Sequence, residues 1–336
     1  MDIIELIKAI VIGVIEGITE WLPISSTGHM ILADEFIKLD VSPQFWELFL
    51  VVIQLGAIMA VIVLYFGRLN PLSPKKTPAQ RRSTLRLWAK VIVGCLPAAV
   101  IGILFDDWVE EHFFNALTVT IALVVYGIAF IVVERIKEGR QPIGAHSPGA
   151  SVPAQDSLVR SPLDVDSYKT RQSRPETGSR ASEPLDARSP ETDLAGDVAR
   201  VDGISFGRAL GIGAFQCLAI IPGTSRSGST ILGGRILGVS RSAAAEFSFF
   251  LAIPVMFGWS LLKVLKAFVL DSLALSSTEI GVLVAGILVA FVVSIVAIRF
   301  LMGFIKNHSF EAFGWYRIVL GVAVLAYFIL TGQLFA

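Results

Sequence analysis

The chain has 336 residues, 54% hydrophobic and only 17% charged, and its acidic and basic residues balance to a formal charge of zero. A mean hydropathy of +0.70 excludes an ordinary soluble domain, whose helices keep a polar face even around a large core. No basic segment interleaved with aromatics is present, so nucleic acid is excluded as a partner and membrane lipid is the expected surroundings.

The N-terminus opens Met1-Asp-Ile-Ile-Glu-Leu6. It is acidic and lacks a basic leader, so the first segment is expected to stay in the mature protein. An apolar helix then runs into Glu16-Gly-Ile-Thr-Glu20 and, after Trp21-Leu22, into Pro23-Ile-Ser-Ser-Thr-Gly-His29. Pro23 stops a helix, and Ser25, Ser26, Thr27 and Gly28 restart one. A re-entrant pair of half-helices is expected, with N–H groups and hydroxyls cradling an anion. On a helix Glu16 and Glu20 share one face. Two carboxylates there can hold a hard divalent cation, or one can act as a base. Ionisable groups inside a membrane are costly and are functional candidates by default. His29, next to the hydroxyl run, suits a general acid, base or nucleophile.

Apolar runs near 44–66, 87–105 and 115–134 follow, each long enough or nearly so to span a bilayer. The loop 67–90 carries seven basic residues and no acid, whereas 106–111 reads Asp-Asp-Trp-Val-Glu-Glu. By the positive-inside rule the first loop is cytoplasmic and the second external. The N-terminus is then outside.

Residues 139–202 hold seven Pro and nine Ser against a single aromatic residue, Tyr168. Such a segment cannot bury enough apolar area to offset its chain entropy, and a disordered cytoplasmic insertion is expected. It divides the chain into a first membrane repeat, 1–138, and a second, 203–336.

The second half starts with its own polar break, Pro222-Gly-Thr-Ser-Arg-Ser-Gly-Ser-Thr230. Arg226, flanked by Ser225 and Ser227 and followed by Gly228 and Thr230, suits phosphate oxygens. It equally suits the role of counter-charge to Glu16 or Glu20. Apolar runs near 243–270, 280–305 and 314–334 follow and leave the C-terminus outside. Lys263 and Lys266, near the outer end of the first of these, run against the charge rule unless they snorkel. The two cysteines, Cys95 and Cys217, have no metal-ligand spacing and are read as packing thiols.

A shift of 200 aligns the halves. Gly13 meets Gly213, Glu16 meets Gln216, and Ser25-Ser-Thr-Gly28 meets Ser225-Arg-Ser-Gly228. With an offset of 199, Glu47 meets Glu246. The expected fold is therefore an all-α polytopic membrane protein built as two inverted-topology repeats. Each is a re-entrant broken-helix hairpin plus about three transmembrane helices. A homodimer is compatible with it. The polar set points to a lipid-linked diphosphate and a divalent cation, Mg²⁺ or Ca²⁺. The residues alone leave open a transporter of an anion or lipid-linked phosphate, because broken inverted helices also serve transport. An intramembrane serine protease is disfavoured: Gly223-Thr-Ser-Arg-Ser-Gly228 is no Gly-x-Ser-x-Gly elbow.

The Glu16-x-x-x-Glu20 pattern, the Pro23–His29 run and Pro222-Gly-x-Ser-Arg-Ser-x-x-Thr230 together resemble the bacitracin-resistance family of undecaprenyl-diphosphate phosphatases. Val51-Val-Ile-Gln-Leu-Gly56 and Glu246-Phe-Ser-Phe-Phe-Leu251 add to the likeness. It covers roughly 1–138 and 203–334; most relatives lack the long insertion. The resemblance implies divalent-metal-dependent hydrolysis of a polyprenyl diphosphate at the outer face of the bacterial plasma membrane. The carrier lipid is thereby recycled for peptidoglycan synthesis, and bacitracin resistance follows. It places the family's catalytic residues on Glu16, Glu20, Ser26, His29 and Arg226. From the residues themselves, catalysis is expected on Ser26, His29, Glu20 and Arg226, the metal on Glu16 and Glu20, and the phosphate on Ser25, Thr27, Gly28, Ser225, Ser227, Gly228 and Thr230.

Overall fold

A computed structural model of the chain describes residues 2–113, 115–139 and 197–332. The described residues form eleven α-helices and no strand longer than an isolated bridge. In chain order they are α1 (Ile3–Thr19), α2 (Ser26–Phe36), α3 (Pro43–Leu64), the single turn α4 (Phe66–Leu69), α5 (Pro78–Phe113) and α6 (Ala116–Glu138). Then come α7 (Phe206–Gln216), α8 (Arg226–Ile236), α9 (Arg241–Leu265), α10 (Ser277–Asn307) and α11 (Glu311–Thr331). Six of them, α3, α5, α6, α9, α10 and α11, are long and apolar enough to cross a membrane. They match the six apolar runs, and the chain is an all-α polytopic membrane protein.

Local chemistry sets the helix starts. Ser42, Asn115, Ser205 and Ser240 each turn a side-chain oxygen back to a first-turn N–H, and Ser276 with Glu279 closes a full capping box. Ile103, Leu104, Val319 and Leu330 stand exposed on the outside of the bundle. Apolar side chains so exposed are what a lipid-facing surface requires.

The two halves exchange helices. α1 packs on α10, and α7 packs on α5, while α3 meets α9 and α6 meets α11. Close approach at these contacts depends on glycine. A Cβ on Gly213 would run into the Gly94 carbonyl of α5, and one on Gly13 would lie 2.9 Å from the Gly286 carbonyl of α10. Gly127 of α6 and Gly314 of α11 are reciprocal: a Cβ on either would come within 2.7 Å of the other's carbonyl.

The insertion expected at 139–202 lies mostly outside the described residues. Its last six residues are placed, and they are packed rather than loose. Val198 bridges to Val239, and Asp197 pairs with Lys137 at 2.8 Å and with Arg235 at 3.1 Å. Arg235 also reaches the buried Glu134 at 2.7 Å, and Arg241 holds the other oxygen of that carboxylate at 2.7 Å. Composition alone misses these contacts because they join charges that are far apart in sequence.

Candidate active site

Both polar stretches break their helices as the sequence suggests, and both breaks end in the same conformation. α1 stops at Thr19, and α2 restarts after Ser25, whose φ is 75°. The second break, after α7 and a 3₁₀ turn at Cys217–Ile220, ends at Ser225 with φ 73° before α8. A non-glycine residue in this left-handed region is uncommon and costs on the order of 1–3 kcal/mol. Each serine offsets part of that by capping its own helix. Ser25 Oγ accepts from the Gly28 N–H at 3.2 Å, and Ser225 Oγ from the Gly228 N–H at 3.1 Å.

The breaks meet. Glu20 bridges them: one carboxylate oxygen accepts from Arg226 Nη2 at 3.0 Å, the other from Ser26 Oγ at 2.9 Å. Arg226 Nη1 donates to the Ser248 carbonyl of α9 at 3.0 Å. Ser227 Oγ lies 3.0 Å from the Glu20 carbonyl and 3.1 Å from Ser225 Oγ. Thr230 Oγ1 is held by the carbonyls of Arg226 and Ser227 and by Ser248 Oγ at 2.6 Å. The hydroxyls of Ser25, Ser225, Ser227 and Thr230, expected on a phosphate, are thus tied to the framework here. Ser227 joins the two breaks, donating across to the carbonyls of Glu20 and Leu22.

Glu16 sits one helical turn before Glu20 and is buried. Its Oε1 has no hydrogen-bond partner. Glu16, Ser26 and Thr27 line a cavity of about 520 Å³ that also touches Asp34, Glu47 and Lys263. Glu20, Arg226 and His29 do not line it; Glu20 and Arg226 stand behind Ser26. His29 is turned away from Ser26. Its Nδ1 is 2.7 Å from the Ser25 carbonyl and its Nε2 2.7 Å from Tyr316 Oη. A carbonyl only accepts, so Nδ1 carries the proton, and in the neutral ring Nε2 accepts from the tyrosine.

Arg317 of α11 belongs to this site although nothing but its charge marks it in the sequence. It is fully buried, and among the described residues no carboxylate lies within ion-pair distance of it. Nη1 donates to the Pro23 carbonyl at 3.2 Å. Nη2 donates to the carbonyls of Gly223 and Thr224 at 2.8 and 2.9 Å. One guanidinium therefore fastens both breaks, and it packs over the Tyr126 ring at 5.4 Å. The rule that flagged Glu16 and Arg226, an ionisable group inside an apolar run, would have flagged Arg317 too.

Two hard oxygen donors, an unpartnered buried carboxylate oxygen, a hydroxyl bonded to a carboxylate and free first-turn N–H groups of α2 line or back one cavity. Such a set can bind a phosphoryl group and move a proton. Comparison with known proteins agrees. The family described as "Bacitracin resistance protein BacA" matches residues 9–158 and 185–323. The undecaprenyl-diphosphatase of Enterococcus faecalis is 48% identical over 322 residues, covering 96% of this chain and 97% of that protein. Undecaprenyl-diphosphatase 1 of Clostridioides difficile is 47% identical, covering 98% of each, and the Streptococcus mutans undecaprenyl-diphosphatase is 47% identical, covering 96% of each.

Proposed function

The chain belongs to the BacA family of bacitracin resistance proteins and is a membrane phosphatase for undecaprenyl diphosphate; we propose that Ser26, Glu20 and Arg226 carry its chemistry. The products are undecaprenyl phosphate, the recycled carrier of peptidoglycan synthesis, and inorganic phosphate. Removing the diphosphate form underlies bacitracin resistance. The observation that carries the mechanism is the Ser26 Oγ to Glu20 contact at 2.9 Å, on a residue that faces the cavity.

In this mechanism Ser26 Oγ attacks the terminal phosphorus, and its proton passes to Glu20. The new Ser26 O–P bond forms as the P–O bond to the lipid monophosphate breaks. Water then cleaves the phosphoserine, releasing phosphate and restoring the hydroxyl. Arg226, 3.0 Å from the other carboxylate oxygen, keeps Glu20 aimed. The Ser26 and Thr27 N–H groups, at the start of α2, receive the phosphoryl oxygens. His29 holds the Ser25 turn rather than relaying the proton, and Arg317 fixes the distance between the two breaks.

A divalent cation fits these residues. The orphaned Glu16 oxygen, on a residue that lines the cavity, is a hard donor, and the Glu20 carboxylate follows one helical turn on, behind Ser26. Among the described residues no group of three His, Cys, Asp or Glu side chains could hold a metal ion. Water and substrate oxygens would complete the shell, as Mg²⁺ favours. When bound there it supplies charge neutralisation at the phosphoryl oxygens. Purified protein in detergent should release phosphate from undecaprenyl diphosphate with Mg²⁺ present, lose that activity in EDTA and regain it with excess Mg²⁺. Hydrolysis unaffected by EDTA would remove the metal from this reading.

The same reading makes the halves inverted repeats. Three crossings in the first half reverse the side from which the second begins, and the matched breaks at Ser25 and Ser225 then meet from opposite sides. The cavity lies at the end of the bundle where Val109, in the acidic last turns of α5, also lines it, so its mouth faces outside. Cysteines introduced at 106–111 should react with an impermeant maleimide on intact cells, and those at 75–82 only after permeabilisation. The reverse pattern would turn the site inward.

A further inference from the structure

We propose that Lys263 is the substrate-capture residue of this enzyme, an ammonium at the cavity rim that leaves Glu47 to take a phosphate of the incoming diphosphate headgroup. The inference rests on the phosphatase reading above and extends it to a residue outside the polar breaks. Four observations carry it. The cavity is lined by the carboxylates of Glu16, Asp34 and Glu47, and among the described residues Lys263 is the sole cation on its wall. A polyanionic headgroup entering past three acids needs a positive partner before it reaches the floor.

The depth of these groups is also ordered. Glu16 is 2% exposed, whereas the side chains of Lys263 and Glu47 are 27% and 67% exposed. Lys263 therefore stands at the entrance and Glu16 at the bottom. The Lys263 to Glu47 distance is 3.9 Å, the outer limit of an ion pair, and so exposed a partner is easily exchanged. Finally, the ammonium does not extend away from the protein as a snorkelling lysine would. It is folded over the Trp259 ring at 5.2 Å, and Trp259 lines the same cavity. This placement accounts for a lysine at the end of α9 that runs against the charge pattern of the loops.

The test is steady-state hydrolysis of undecaprenyl diphosphate in detergent by the full-length protein, wild type beside Lys263→Met, Lys263→Arg and Glu47→Gln. Lys263→Met keeps the length of the stem and should raise KM at least tenfold with kcat within twofold. Lys263→Arg should restore KM to near wild type. Glu47→Gln, at an exposed rim position, should lower KM because Lys263 loses its competitor; it keeps the proposal testable even if Lys263→Met does not fold. No phosphate release by the wild type would overturn the phosphatase reading itself. An active wild type with unchanged KM in Lys263→Met, or in Glu47→Gln, would overturn the capture role alone. Weaker inhibition by inorganic phosphate in Lys263→Met with unchanged KM would also overturn it, by assigning the residue to the product.

Discussion

Glu20→Gln should lower kcat by about 10²–10⁴, the range that a positioned general base contributes. The carboxylate has one oxygen on Ser26 at 2.9 Å and one on Arg226 at 3.0 Å. An amide of the same shape can keep one of these contacts and cannot take the serine proton at all. Ser26→Ala should be at least as damaging. The double variant should be scarcely worse than the poorer single one, because base and nucleophile act as one unit. Single-turnover phosphate release with enzyme in excess checks both, since it is independent of product departure. Near-normal turnover in Ser26→Ala would move the attack to water and leave Glu20 as its base.

Arg226→Ala should cost about 3–5 kcal/mol of stability as well as activity, the usual result of stranding one member of a buried ion pair. Glu20 and Arg226 side chains are 9% and 12% exposed, so solvent cannot replace the lost partner. Removing the stranded charge should recover much of the loss: Glu20→Gln combined with Arg226→Ala should unfold at a higher temperature than Arg226→Ala, though it stays inactive. Arg226→Lys keeps the charge but cannot reach Glu20 and the Ser248 carbonyl together. It should lower turnover by about 10²–10³. Thermal unfolding in one detergent, read beside phosphate release, separates the two effects. An Arg226→Ala protein as stable as wild type would show that Glu20 does not depend on it.

Much of this site is legible from residue types. Pro23 and the hydroxyl runs mark both breaks, and Glu16, Glu20 and Arg226 are conspicuous in apolar surroundings. The partner of each group is not legible, because partners lie about 200 residues away and several are carbonyls. No sequence signal tells that Ser248 presents its carbonyl to Arg226. None tells that Ser25 and Ser225 adopt a positive φ, a conformation better suited to glycine. The phosphate-binding set shows the ambiguity. A hydroxyl beside a helix start can face a ligand or cap its own helix, and only geometry distinguishes the two. Arg317 is the converse case, passed over because the run around it is read for its length and hydropathy.

The exchange of helices between the halves sets an order of assembly during synthesis. The packing partner of α1 is α10, and about 260 residues separate the end of one from the start of the other. At translation rates of 5–20 residues per second, α1 waits on the order of 10–50 s before α10 emerges. Throughout that interval Glu16 and Glu20 lack Arg226 as well as the helix that buries them. The N-terminal hairpin must therefore rest at the lipid–water boundary, its carboxylates hydrated, and enter the bundle late. The long segment between the halves lengthens the wait by several seconds, so shortening it should hasten maturation of newly made chains even where the finished enzyme is indifferent to its length.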